Sequence, residues 1–310
     1  MFELATTMPL AIAYAVIGVG DMQEALDLWV GRFGMEVVVR QSGDDPELAR
    51  AWNLPGDGIV DQALLRTPGV KDGGIHLVKF RDPGPAVRDG ASPTALLPKS
   101  IDVAVRDIEA RYAELKDAGY QFRSKVGAFE TEQRQKVFEV HMTGHDGINV
   151  VLVEQPGQLE PASSRGYGVA PLIVAISPDN RLEAEFLQHV LGLEELMHNR
   201  FGGPSVERTI GLPPGASLDV RILGARSRVF GRIELVQYEG VASENRYPRA
   251  VAPARGQLSV TYFVDDLARI VSRAAGHVSD LGRVASIYGR ARMATLTTPA
   301  GLRIHLVESP

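Results

Sequence analysis

Two histidines occupy matching places in the chain: His76 in GIHLVKF and His305 in LRIHLVE, each followed by Leu-Val in a short apolar run. Glu234 stands in a similar setting, in IELVQY. An imidazole takes or gives a proton near neutral pH, and a carboxylate or a phenol can orient it or polarise a substrate oxygen. Tyr14, at the head of YAVIGVG, supplies a phenol. One histidine in such a run is as readily a core residue as a catalyst; two in equivalent places favour a role. His141, in KVFEVHMTG, also falls on a strand. Tyr288 and Arg292, in IYGRARM, have the chemistry to hold an anionic or phenolic group, and packing would serve them equally well. Trp52 sits in a loop, residues 49–58, that could lie over an apolar ligand. His145, in the turn GHDG, is expected in solvent, and His189 and His198 at the surface or capping a helix.

A repeat must position these residues. Residues 14–34, YAVIGVGDMQEALDLWVGRFG, read as a strand, a turn and a helix. Asp21 caps that helix, Met22, Ala25, Leu26, Trp29 and Phe33 share one face, and Gly34 ends it. A strand ending in a capping Asp recurs at Asp107, Asp179 and Asp266. Alternate caps are 158 (Asp21 to Asp179) and 159 (Asp107 to Asp266) residues apart, and Gly192 follows Gly34 by 158. GHDGINVVLVE and TPAGLRIHLVE close the second and fourth units in parallel fashion. Such periodicity takes precedence over local reading. It predicts an α+β chain of four modules, each a strand, a helix and further strands, at about 10–82, 99–156, 169–246 and 256–310. The polar stretch QPGQLEPASSRGYG reads as a linker, 157–168, between an N-terminal domain (1–156) and a C-terminal one (169–310). Strands are expected near Gln121 to Lys125 and Ser205 to Ile210, among others. The glycine clusters, Gly73-Gly74 included, do not make a phosphate-binding loop, because none leads from a strand into a helix with the required spacing.

Composition narrows the function classes. The 310 residues suffice for two ordinary cores. A hydrophobic fraction of 45% and a charged fraction of 23% fit a soluble globular chain. A net charge of -5 argues against a nucleic-acid partner, which would call for a basic stripe. With no cysteine there is no disulfide, no thiolate nucleophile and no Cys-ligated zinc, which fits the cytoplasm. The apolar run Leu10 to Val19 is too short to span a membrane. The expected partner is a small molecule, and a homodimer is compatible with the sequence.

The four modules, with their D-G-x-x-x turns before a terminal strand, resemble the vicinal oxygen chelate superfamily of glyoxalases, bleomycin-resistance proteins and extradiol dioxygenases. The resemblance rests on residues 14–34, 107–119, 146–154, 179–193 and 299–308. It implies βαβββ modules whose curved mixed sheets join in pairs around two clefts. Chelating members place one metal ligand seven residues before the capping Asp and another in the last strand. The first positions hold Tyr14, Ser100, Leu172 and Ser259; the second hold His76, Val151, Glu234 and His305. The usual histidines are missing from the first strands, and no domain offers the two histidines and one carboxylate of an extradiol iron site. No cofactor is therefore predicted, although a divalent Fe, Mn, Zn or Ni in a non-standard set is conceivable. Consecutive pairing of modules would put Tyr14 and His76 in one cleft, and Glu234, His305 and Ser259 in the other. Pairing of the first module with the fourth, as in some single-chain glyoxalases, would gather Tyr14, His76, His305 and Ser259. His141 would line the second module's cleft, and Trp52, Tyr288 and Arg292 would border a cleft mouth.

The leading expectation is a lyase or isomerase of this superfamily. It would move a proton on a small apolar or aromatic oxygenated metabolite. His76 or His305 would be the base, with Tyr14 or Glu234 stabilising developing charge. The rival is a metal-free binding protein of the bleomycin-resistance type. A third reading is an extradiol-type dioxygenase with a non-standard site.

Overall fold

A computed structural model describes residues 10–130, 134–156, 163–274 and 276–309. The first module comprises β1 (Ile12–Val19), α1 (Met22–Leu26), a π-helical continuation (Asp27–Arg32), β2 (Glu36–Ser42), α2 (Pro46–Ala51), β3 (Ile59–Arg66) and β4 (Gly74–Phe80). The second comprises β5 (Pro98–Val105), α3 (Ile108–Asp117), β6 (Gln121–Phe122), β7 (Gly127–Glu130), β8 (Lys136–Thr143) and β9 (Asn149–Glu154). In the third are β10 (Tyr167–Ile176), α4 (Asn180–Leu191), β11 (Glu194–Gly202), α5 (Pro204–Ile210), β12 (Ser217–Gly224) and β13 (Arg232–Glu239). The fourth has β14 (Gly256–Val264), α6 (Leu267–Arg273), β15 (Val278–Ser286), β16 (Gly289–Thr297) and β17 (Arg303–Glu308).

All four aspartates cap as the repeat requires. Asp21 Oδ1 accepts from the backbone N–H of Gln23 at 2.7 Å, Asp107 from Ala110 at 3.2 Å, Asp179 from Leu182 at 2.9 Å and Asp266 from Arg269 at 2.9 Å. The repeated terminal glutamates hold the same helix starts from the other side. Glu154 accepts from the backbone of Asp107 and Ile108, and Glu308 from that of Leu267. The first helix buries Met22, Ala25, Leu26, Trp29 and Phe33, the face read from spacing.

Within each module the last strand lies parallel to the first. Two modules then join through their first strands, antiparallel. β1 pairs with β14, giving the order β15-β16-β17-β14-β1-β4-β3-β2. β5 pairs with β10, giving β11-β12-β13-β10-β5-β9-β8-β6, with β7 on β8. One sheet thus combines the first and fourth modules, the other the second and third. This corrects the division into domains 1–156 and 169–310. The stretch expected as an interdomain linker connects two strands of one sheet. β9 ends beside the end of β5, where β10 begins with Tyr167 opposite Val105. β10 thus occupies one edge of β5, and β14 the corresponding edge of β1. The chain passes between sheets at two Pro-rich links instead, 81–97 and 240–255. These run side by side, with Leu96 N donating to Glu244 O at 2.8 Å and Val87 N to Arg255 O at 2.8 Å. The linker residues 157–162 lie outside the described residues.

The sheets also bond to each other through two glycines. Gly73 N donates to Ile12 O at 2.7 Å, and Ile12 N to Gly231 O at 2.7 Å. Ala170 N donates to Gly73 O at 3.1 Å, and Gly231 N to Ala170 O at 3.2 Å. Both glycines have positive φ, 67° and 73°. A Cβ on either would overlap the carbonyl oxygen it faces, Ala170 or Ile12.

Three local expectations are revised. Ser205 to Ile210 is helical, as α5: Pro204 opens a helix readily, and Gly211 closes it with φ 82°. The strand expected to reach Lys125 ends at Phe122. His145 is buried, not solvated. Its Nε2 accepts from Trp29 Nε1 at 2.8 Å, which leaves Nδ1 to donate to Asp146 Oδ2 at 3.0 Å. Asp146 also accepts from Gly20 N and Arg255 Nη1, tying this turn to the first module and to the link that leads into β14.

Candidate functional site

Register puts the four last-strand candidates in equivalent places. His76 lies opposite Val16, Val151 opposite Asp102, Glu234 opposite Val174 and His305 opposite Thr261. Each partner is two residues beyond Tyr14, Ser100, Leu172 or Ser259, so each set shares one sheet face. Sheet pairing then separates the candidates. Tyr14, His76, His305 and Ser259 fall in the sheet of the first and fourth modules, and Glu234 and His141 in the other. The grouping of Glu234 with His305 and Ser259 does not occur, because their modules belong to different sheets.

In the first sheet His76 is fully enclosed and engaged at both ring nitrogens. Nε2 meets Gln62 Oε1 at 3.0 Å, and Gln62 Nε2 donates to Asp45 Oδ2 at 2.9 Å. That amide orientation assigns the proton to Nε2, so Nδ1 accepts from Tyr288 Oη at 2.7 Å. Tyr288 also meets Thr261 Oγ1 at 3.1 Å. Burial, helped by His305, pushes the His76 pKa down to about 3. A neutral imidazole with both nitrogens occupied is a structural member of a polar network. Tyr14 packs against Tyr288 and Phe263 under the Arg66 guanidinium, and burial raises its pKa. His76, Tyr14 and Tyr288 pack together and are not among the residues that line the cavity of this sheet. Arg292 is outside as well, donating to Asp280 at 3.3 Å. The cavity, about 150 Å³, is lined by His305, Ser259 and Trp52 among others.

The second sheet holds a larger cavity, about 500 Å³. Its walls are mainly apolar, with Phe129, Leu172, Leu196, Met197, Phe201 and Ile222 among them, and Arg232, Gln135 and Gln155 add polar groups. Carboxyl groups of Asp102, Glu139 and Glu234 stand on its floor. A narrower recess continues past them to His141, Lys99 and Tyr238. Burial, and then Glu139, raises Glu234 to about 8. Burial, and then Glu234 and Glu139, raises Asp102 well above the carboxylate range. Two such neighbours titrate as one system. His141 donates from Nε2 to Glu139 Oε1 at 2.6 Å and accepts at Nδ1 from Asn149 at 3.1 Å. It therefore positions Glu139 rather than facing a ligand with a free nitrogen. Lys99, its pKa lowered by burial, donates to the Pro93 carbonyl.

Asp102 and Glu139 were not among the sequence candidates. Their signal was present: Asp102 interrupts the apolar strand IDVAV, and Glu139 alternates with His141 in KVFEVHM. A divalent ion of the superfamily's kind does not fit the donors present. In the second cleft the four ligand positions hold Ser100, Leu172, Val151 and Glu234, so a single strong donor remains. In the first cleft His76 has no free nitrogen. Among the described residues no group of three or more His, Cys, Asp or Glu is placed to hold a metal ion.

Residues 11–152 match the sequence model of the Glyoxalase/Bleomycin resistance protein/Dioxygenase superfamily. This part of the chain belongs to that superfamily, and the modules and paired sheets give the whole chain its fold. Among solved structures, glyoxalase I from Zea mays superposes with a TM-score of 0.66 at 14% identity, covering 96% of this chain and 92% of that one. A candidate dioxygenase from Bacillus subtilis subsp. subtilis str. 168 gives a TM-score of 0.56 at 12% identity, covering 97% and 86%. A comparison with curated protein sequences finds no match. Among the described residues no helix is long and apolar enough to cross a membrane.

Proposed function

We propose that this chain is an enzyme that moves a proton on a small apolar or aromatic oxygenated molecule. The cleft of the second and third modules would be its site. One observation carries the reading: buried carboxyls of Asp102 and Glu234 share the floor of an apolar cavity of about 500 Å³. Two interacting carboxyls whose ionisations are driven apart divide the roles of base and acid. Glu234, in the fraction that is ionised, takes a proton from carbon beside a carbonyl. Asp102, held protonated, donates a hydrogen bond to the oxygen on which charge develops. The apolar walls hold the rest of the molecule and exclude water. This moves the base from the histidines expected from sequence to a carboxylate, and uses no metal ion.

The test is exchange of carbon-bound hydrogen for deuterium in D₂O, followed by NMR across a panel of apolar and aromatic hydroxyketones and ketones. Wild type should exchange at least one of them, and Glu234→Gln should lose about 10²–10⁴-fold in rate. Saturable binding without exchange would favour sequestration, the reading that the apolar walls also support.

A further inference from the structure

The smaller cavity, in the sheet of the first and fourth modules, has different chemistry. None of its lining residues is acidic. Ser259 and Arg303 face each other across β14 and β17, and Thr297 is opposite Arg303 on β16. One step along, His305 lies between Thr261 and Thr295. Trp52, from the end of α2, stacks on the His305 ring with centroids 5.2 Å apart and planes at 17°. Two polar atoms here are buried without a hydrogen-bond partner, Ser259 Oγ and Trp52 Nε1. Ser259 is 2% exposed and lines the cavity. Such groups are nearly always satisfied in folded proteins, by protein, water or ligand. Arg303 stands at the cavity mouth with no carboxylate partner among the described residues, whereas Arg290 and Arg292 of the same sheet pair with Glu47 and Asp280.

We infer that this cavity is a second ligand site, which takes a small aliphatic carboxylate. The ligand's oxygens would accept from Ser259 Oγ, Trp52 Nε1 and the Arg303 guanidinium, and its short chain would lie against Val16, Leu258 and Ala252. At roughly 30 Å³ per water-sized group, about 150 Å³ admits about five such groups. That is the size of propionate, pyruvate or butyrate. The site lies in the other sheet from Asp102 and Glu234, so it stands or falls independently of the proton-transfer reading.

The test uses ligand-observed NMR of the full chain at pH 7 with acetate, pyruvate, butyrate and inorganic phosphate. At least one carboxylate should saturate. Arg303→Gln, a change at an exposed position, should weaken it tenfold or more, and Ser259→Ala severalfold. Glu234→Gln should leave carboxylate binding unchanged. Absence of saturable carboxylate binding would overturn the inference, as would equal affinity in Arg303→Gln. Saturation by phosphate alone would overturn the assignment to a carboxylate.

Discussion

His76 and Glu234 hold equivalent places in their sheets and differ in what surrounds them. His76 is closed in by Gln62 and Tyr288, whereas Glu234 opens onto a cavity. Different consequences follow for mutation. His76→Ala removes the centre of a buried chain of hydrogen bonds and strands Gln62 and Tyr288. The expected loss is roughly 2–4 kcal/mol in urea unfolding, because unpaired buried polar groups and a cavity both cost free energy. Glu234 has a functional pH signature instead. With its pKa near 8, the ionised fraction rises about tenfold per pH unit below that value. The exchange rate should climb to about pH 8 and then level off. A rate that is flat from pH 6 to 8 would remove Glu234 as the base.

Strands and links set which residues meet. Gly73 and Gly231 are where the two sheets bond, with backbone conformations that a side chain disfavours. Gly231→Ala should destabilise the chain by about 2–4 kcal/mol, a backbone-strain effect measurable as a lower urea midpoint. If that midpoint is unchanged, the contact between sheets is not needed for stability. The turn at Asp146 joins the same parts through side chains. It was legible as a turn, but the burial of His145 was not, because its partner Trp29 is 116 residues away.

At the scale of the molecule, opposing titrations shape stability. Glu234 keeps its proton in the folded chain above 4.5, where the unfolded chain has lost it. Its contribution is fully present below about 4.5 and is lost as pH rises through about 8. His76 and His305 fall from 6.5 to about 3 and about 4, so theirs is present above about 6.5 and is lost as pH falls. Each group changes stability by at most about 1.4 kcal/mol per pH unit within its window. Wild type should therefore lose stability on both sides of a mildly acidic optimum. Glu234→Gln should gain relative to wild type as pH rises from about 5 to 8, in urea midpoints taken at each pH. A constant difference between the two would mean that Glu234 is not perturbed.

Capping aspartates, helix faces and the spacing of 158 residues were readable from sequence because they rest on contacts within a module. They determined four modules and placed His76, Glu234 and His305 at corresponding strand positions. Which modules share a sheet was decided by tertiary structure, because it depends on where one strand ends and which free edge lies nearest. That choice parted Glu234 from His305 and joined it to Asp102 and Glu139. Solvent access was likewise decided there. Whether a polar residue on a strand meets a neighbour or a cavity depends on side chains that come from other modules, as Tyr288 comes to His76 and Trp52 to His305.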